Sequence, residues 1–211
     1  MSDKDNLSWI NNRYLGKAND AEEHARQEHF ECAVYDVIAG VEPEPRRAGL
    51  IDTPARVRKA WQFMCSGYDK RASDVLKTFD DGAEGVDEMV VVKDIPFYSN
   101  CEHHMLPFFG TCTIAYIPDG RIVGLSKLSR LTDIFARRLQ VQERMTNQIA
   151  NALDEHLQPL GCGVVVQARH ACMEARGVCQ QGHKTITSAL RGCFKTEAQT
   201  RAEFLSLARC C

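Results

Sequence analysis

From Ala21 to Val41 the apolar side chains Phe30, Val34, Val37 and Ile38 return at helical intervals, and the spacing predicts a helix. Two prolines in "VEPEPRRAGL" end it. "DTPARVRKAWQFMCSGY" restarts a helix, with Thr53 as its cap, Pro54 in the first turn and Gly67 closing it. Ahead of both, residues 1 to about 18 are polar and aperiodic, which reads as a loose arm. The link "DDGAEGVDE", polar and glycine-containing, closes this half of the chain.

From Met89 the period changes from helical to alternating. "MVVVKDIPFY" predicts a strand, and "GTCTIAYIPDGRIVGL" predicts two strands around a Pro-Asp-Gly turn. Ser126 is placed to cap a helix that shows Leu128, Leu131, Ile134 and Phe135 on one face. A second helix carries Val141, Met145, Ile149, Ala152, Leu153 and Leu157. "CGVVVQARHACM" and "KTITSALRGCF" are two further strands, and "TEAQTRAEFLSLAR" is a closing helix. The expected class is α+β, in two parts: an N-terminal arm and helical region, 1–88, and a strand-strand-helix-helix-strand-strand domain with a tail helix, 89–211.

Composition narrows what such a chain can do. A formal net charge of -2 leaves no basic surplus for a nucleic-acid backbone. No run of about 18 apolar residues predicts a membrane span, and the first residues lack a secretory apolar stretch, so a cytoplasmic location is expected. Ten cysteines occur without a single C-x-x-C pair, which removes zinc knuckles and thioredoxin-like motifs. The interior cysteines then act as small apolar groups, and Cys210 and Cys211 as exposed tail thiols. Only cysteines beside histidine remain as ligand candidates.

Those lie in two places. "SNCEHHMLPFFG" puts Cys101, Glu102, His103 and His104 side by side, and one tight turn can aim Cys101 and His104 at a single ion. Alone, this short pattern is equally compatible with histidines that merely satisfy a loop. "ARHACM" adds His170 and Cys172, two apart in a predicted strand and hence expected on one face. Cys101, His104 and Cys172 together make a Cys₂His set of the kind catalytic Zn²⁺ sites use, which leaves His103 and His170 free to carry protons beside an activated water. Basic groups complete the constellation. Ser126, Lys127 and Arg130 start a helix, where anions are favoured; Arg176 follows the Cys172 strand, and Arg56 and Lys59 come from the N-terminal helix. Each alone is more often a solvated charge; together they suggest a polyphosphate.

With these residues in view the sequence resembles GTP cyclohydrolase I of the zinc-dependent type. The matching stretches are "GLIDTPARVRKA", "CEHHMLPFFG", "AYIPDGRIVGLSKLSR", "ARRLQVQERMTNQIA", "HACMEARGV", "KTITSALRG" and "TRAEFL", in order from residue 49 to 207. The resemblance implies the tunnelling fold, in which a ββααββ unit assembles into rings, here a decamer of two pentamers with active sites between subunits. It implies that Cys101, His104 and Cys172 bind zinc and that GTP is opened hydrolytically at C8 of guanine. Formate leaves, and the product rearranges to 7,8-dihydroneopterin triphosphate. His103 and His170 resemble the proton-transfer residues, with Ser126 and Gln142 beside them as catalytic. Gln142 and Glu143 of "VQER" look like the base-recognition segment, and Lys59, Ser126, Lys127, Arg130 and Arg176 like triphosphate and ribose contacts. Arg56 is a further substrate contact or an interfacial charge, and His183 receives no role.

Three rivals are weaker. A zinc-free nitrile reductase of the same fold would not need both Cys101 and Cys172 alongside His104. A cytidine-deaminase-like enzyme needs H-x-E with P-C-x-x-C, and neither is present. A structural zinc module would close its site with four ligands and have no use for extra histidines.

Overall fold

The computed structural model describes residues 20–208, so the expected N-terminal arm and the Cys210–Cys211 tail lie outside the described residues. The chain divides into two compact units, Met1–Phe63 and Met64–Cys211. No helix among the described residues is long and apolar enough to cross a membrane.

The first unit holds α1 (Asp20–Val41) and the start of α2 (Thr53–Met64). Asp20, Glu22 and Glu23 crowd the first turn of α1, where carboxylates complement the helix dipole. The apolar positions read along α1 do form a helix, yet none of its residues is buried, and Val37 and Val41 remain 68% and 81% exposed. Its tie to α2 is ionic: Arg58 Nε donates to Glu31 Oε1 at 2.7 Å. Thr53 stands inside α2 instead of capping it, and its hydroxyl accepts a hydrogen bond from Arg56 at 3.1 Å.

The second unit opens with α3 (Ala72–Val75) and β1 (Thr78–Phe79), continues through the long strands β2 (Val90–Cys101) and β3 (Pro107–Ile117), and then reaches β4 (Ile122–Val123). Helices α4 (Leu125–Ala136) and α5 (Gln142–Leu157), with β5 (Leu139–Gln140) between them, precede β6 (Gly161–His170), α6 (Ala171–Glu174), β7 (Thr185–Gly192), α7 (Cys193–Thr196) and α8 (Ala198–Ala208). The β-rich region that starts at Met89 lies wholly within this unit. The main sheet has the order β5-β2-β3-β6-β7, and its four long strands run antiparallel to their neighbours.

Two strands do flank the Pro-Asp-Gly turn, though β4 leaves β3 and pairs with β1 in a separate two-stranded sheet. Two local expectations change. Gly124, not Ser126, caps α4; Ser126 sits within the first turn and caps nothing with its side chain. Gly67 closes no helix either. Its N–H donates to Arg137 O at 2.9 Å, and a Cβ there would run into the carbonyl oxygens of Ile134 and Arg137, so close approach to the end of α4 requires glycine.

Strand alternation builds two cores on opposite sheet faces. Cys112, Ile114 and Tyr116 of β3 and Val164 and Val166 of β6 face α4 and α5, where Leu128, Leu131, Met145, Ile149 and Leu153 meet them. Ala115 on the other face packs with Phe194 and Phe204 from α7 and α8. Burial at Cys112 and Cys162 pushes both thiols up to about 12, so they behave as the small apolar groups their surroundings ask for. Leu153 is fully buried between α5 and the sheet. Leu153→Ala is expected to cost about 2–5 kcal/mol of stability, read as a lower urea midpoint at unchanged slope.

Candidate active site

The loop from Cys101 to Leu106 is a tight turn closed by its own backbone. Cys101 N–H donates to Leu106 O at 2.9 Å, Met105 N–H donates to Cys101 O at 2.8 Å, and Met105 takes a left-handed φ of 54°. This folding lays His104 back over Cys101, with Nδ1 3.9 Å from Sγ. His103 Nδ1 lies 4.0 Å from the same sulfur, but the two imidazoles stand at 75° to one another. Cys172 completes a group in which the donor atoms of Cys101, His104 and Cys172 all lie within 4.8 Å of one another.

Cys172 arrives there by a route the alternation rule does not give. The strand β6 stops at His170, and Cys172 belongs to the single helical turn α6. The two residues therefore do not share a strand face. His170 stays with the sheet, and the turn swings Cys172 toward Cys101.

The donor set suits a metal ion. Donors around one tetrahedral ion with metal–sulfur bonds of about 2.3 Å and metal–nitrogen bonds of about 2.0 Å stand about 3.3–3.8 Å apart, close to the spacing seen here. Burial raises the pKa of the Cys172 thiol, and the facing Cys101 thiol raises it further, while the nearby Arg176 guanidinium opposes both. A cation bound between two thiols favours the thiolate form.

Glu102, between the ligand candidates, is anchored twice. Its N–H donates to Gln140 O at 3.0 Å, and both its carboxylate oxygens accept from Arg144 of α5, at 2.6 and 2.7 Å. The Arg144 guanidinium holds the Glu102 carboxyl below the usual carboxylate range. This paired, two-bond geometry is the kind that fixes direction as well as distance.

His170 lies flat on Phe108, ring centroids 4.8 Å apart and planes within 2°, with Nε2 2.7 Å from Gln142 Oε1. Burial lowers its pKa; the Glu143 carboxylate pulls it back up, and His183 lowers it again. Glu143 thus stands close enough to act on His170, on an exposed face of the first turn of α5.

The second unit accordingly gathers Cys101, His103, His104, His170, Cys172, Gln142, Glu143 and Arg176. Ser126, Lys127 and Arg130 occupy the first turns of α4, where no side-chain hydrogen bond or ion pair among the described residues joins them to the Cys–His–Cys group. Lys59 and Arg56 lie on α2: Lys59 is exposed, and Arg56 turns back onto Gly49 O, Thr53 and Asp52. Sequence reading missed the Glu102–Arg144 pair, the Phe108 platform and the action of His183, because each depends on residues far apart in the chain or on a loop without pattern.

The fold and site define a protein of mixed α+β architecture whose Cys–His–Cys group could hold a metal ion. A family model described as GTP cyclohydrolase I matches residues 30–209. "GTP cyclohydrolase 1" of Janthinobacterium sp. (strain Marseille) is 59% identical over 77% of this chain and 82% of its own. The proteins of the same name from Nitrosospira multiformis and Campylobacter curvus are 56% and 51% identical, over 78% and 86% of this chain and 86% and 95% of their own. The chain belongs to the GTP cyclohydrolase I family.

Arg144→Ala removes the anchor of the ligand loop while leaving every donor atom in place. It is expected to speed metal loss to a chelator, with little change in thermal midpoint because the pair is partly exposed. Unchanged metal retention would show that the loop holds itself.

Proposed function

We propose that the chain catalyses the zinc-dependent GTP cyclohydrolase I reaction. GTP is opened at C8 of guanine, formate leaves, and the ribose rearranges to give 7,8-dihydroneopterin triphosphate, the first step toward tetrahydrofolate and other pterins. The observation that carries this reading is the convergence of Cys101, His104 and Cys172 beside His170 and Glu143 in a member of this family.

Cys101, His104 and Cys172 would hold Zn²⁺ through two thiolates and one imidazole. When bound, the ion makes water acidic enough to supply hydroxide near neutral pH. His103 and His170 carry protons to and from the opening ring. Ser126, Lys127, Arg130 and Arg176, together with Lys59 and Arg56 of the N-terminal region, bind the triphosphate and ribose. The start of α4 suits a phosphate, because backbone N–H groups and the helix dipole favour anions there and Lys127 and Arg130 add positive charge. Phe108 seals the inner side of the His170 ring against water. Glu143 reads the base: guanine presents N1–H and N2–H₂ side by side, and one carboxylate accepts both. The alternative partner for Glu143, the adjacent Arg144, is already committed to Glu102, which supports a free carboxylate for the substrate. Residues 89–211 form the catalytic domain in this reading. The strand and helix order fits the tunnelling fold, and the exposed apolar positions of α1 fit a subunit interface; by resemblance to the family the assembly is a homodecamer of two pentamers with active sites between subunits, and the address is the cytoplasm.

Purified protein incubated with GTP is expected to release formate and, after oxidation, a fluorescent pterin. Cys172→Ser should lose bound zinc and formate release together, since a hydroxyl is a poor replacement for thiolate; a variant that keeps both would remove Cys172 from the ligand set. Glu143→Gln should lower GTP turnover far more than it lowers zinc content. It should also erase the preference for GTP over inosine triphosphate, which lacks the 2-amino group. Equal preference in wild type and variant would show that Glu143 does not read the base.

A further inference from the structure

His170 and Gln142 meet through one short hydrogen bond, and the other end of the Gln142 carboxamide decides which of them donates. Gln142 is 1% exposed, at the first position of α5. Its Nε2 lies 3.1 Å from Val166 O, 3.0 Å from Thr185 O and 3.2 Å from Thr187 Oγ1. Backbone carbonyls only accept, so the amide nitrogen must face them. Turning the amide over would set its oxygen against two carbonyl oxygens in a buried site, with the Thr187 hydroxyl alone able to donate to it, and would forfeit both amide–carbonyl bonds.

The hydroxyls nearby agree with this direction. Thr146 Oγ1 donates to Gln142 O at 2.7 Å, which spends its only proton. The 2.7 Å contact between Thr146 and Thr187 then takes its proton from Thr187, leaving a Thr187 lone pair for the Gln142 amide. Every donor in the cluster is thereby assigned, and Gln142 Oε1 can only accept. The proton in its 2.7 Å bond to His170 sits on His170 Nε2.

We propose that Gln142 is a positioning residue that holds His170 as the Nε2–H tautomer and so leaves Nδ1 as the lone-pair nitrogen available to the reacting atoms. Phe108 fixes the plane of the ring and Gln142 fixes its edge, so the imidazole keeps neither rotational nor tautomeric freedom. For its role in turnover this deepens the GTP cyclohydrolase reading; the tautomer itself stands without substrate.

The test is magic-angle-spinning NMR on the full-length, ¹⁵N-histidine-labelled protein, sedimented as purified at about pH 8, where an imidazole is mainly neutral. His170→Asn identifies the His170 signal. The wild type is expected to show a protonated Nε2 and a bare Nδ1 at His170. Gln142→Met, which keeps the length of the side chain and removes the acceptor, is expected to populate both tautomers. Its kcat should fall by roughly 10²-fold, with bound metal unchanged. A proton on Nδ1 in the wild type overturns the proposal, with no variant needed. So does a tautomer that stays the same in Gln142→Met, or a kcat that stays the same when the tautomer shifts. A wild type with the expected tautomer that forms no formate from GTP would overturn the functional reading instead, and would support the hydrogen-bond direction argued here.

Discussion

Strand register at Phe108 is the constraint on which the site depends. Phe108 of β3 pairs with Ser99 of β2 on one side and with His170 of β6 on the other. Cys101 lies two residues past Ser99, and Cys172 two past His170, so the ends of two strands that are not neighbours arrive at one level with β3 between them. A slip of β3 by one residue would turn Phe108 out of the core and take away the platform under His170. Ile114, Val164 and Val166 pack in the core beneath α4 and α5 and so help hold the register that brings the candidate ligands together.

The first turn of α5 converts that register into a complete site. Gln142, Glu143 and Arg144 are consecutive, and on a helix consecutive side chains point about 100° apart. Gln142 turns inward to His170 and the sheet, Glu143 faces outward yet acts on His170, and Arg144 reaches back to the ligand loop through Glu102. One rigid helical start thus orients His170, presents the Glu143 carboxylate, and ties down the loop that carries two ligand candidates. Positioning of this kind, from a packed helix and not a free loop, holds a reacting geometry within tight limits.

Much of this was legible in the sequence. Long elements with a clear period appeared where the alternation placed them, because their faces are set by burial: the strand from Met89, the helix through Met145 and Leu153, and "KTITSALRG" all have one side in a core. Cys101, His104 and Cys172 were recognisable as residue types and by resemblance to the family. The reason given for His170 and Cys172 was wrong in its geometry, since a strand can end between two residues without any change in composition. The two strands around the Pro-Asp-Gly turn were legible, but local chemistry does not reveal that β1, far upstream, supplies the partner for β4. Gly67 looked like a helix stop, although its role is set by the carbonyls of Ile134 and Arg137, some seventy positions away. The Glu102–Arg144 pair had no signature at all, because surface carboxylates and guanidiniums are common and only the fold selects this pair.

The proposed centre is two thiolates and one imidazole sharing a single ion, and zinc K-edge X-ray absorption on the zinc-loaded protein reads that shell directly. With one zinc per chain, it should show two sulfur neighbours at about 2.3 Å and nitrogen or oxygen neighbours at about 2.0–2.2 Å. A shell without sulfur, or one of four sulfurs, would contradict it.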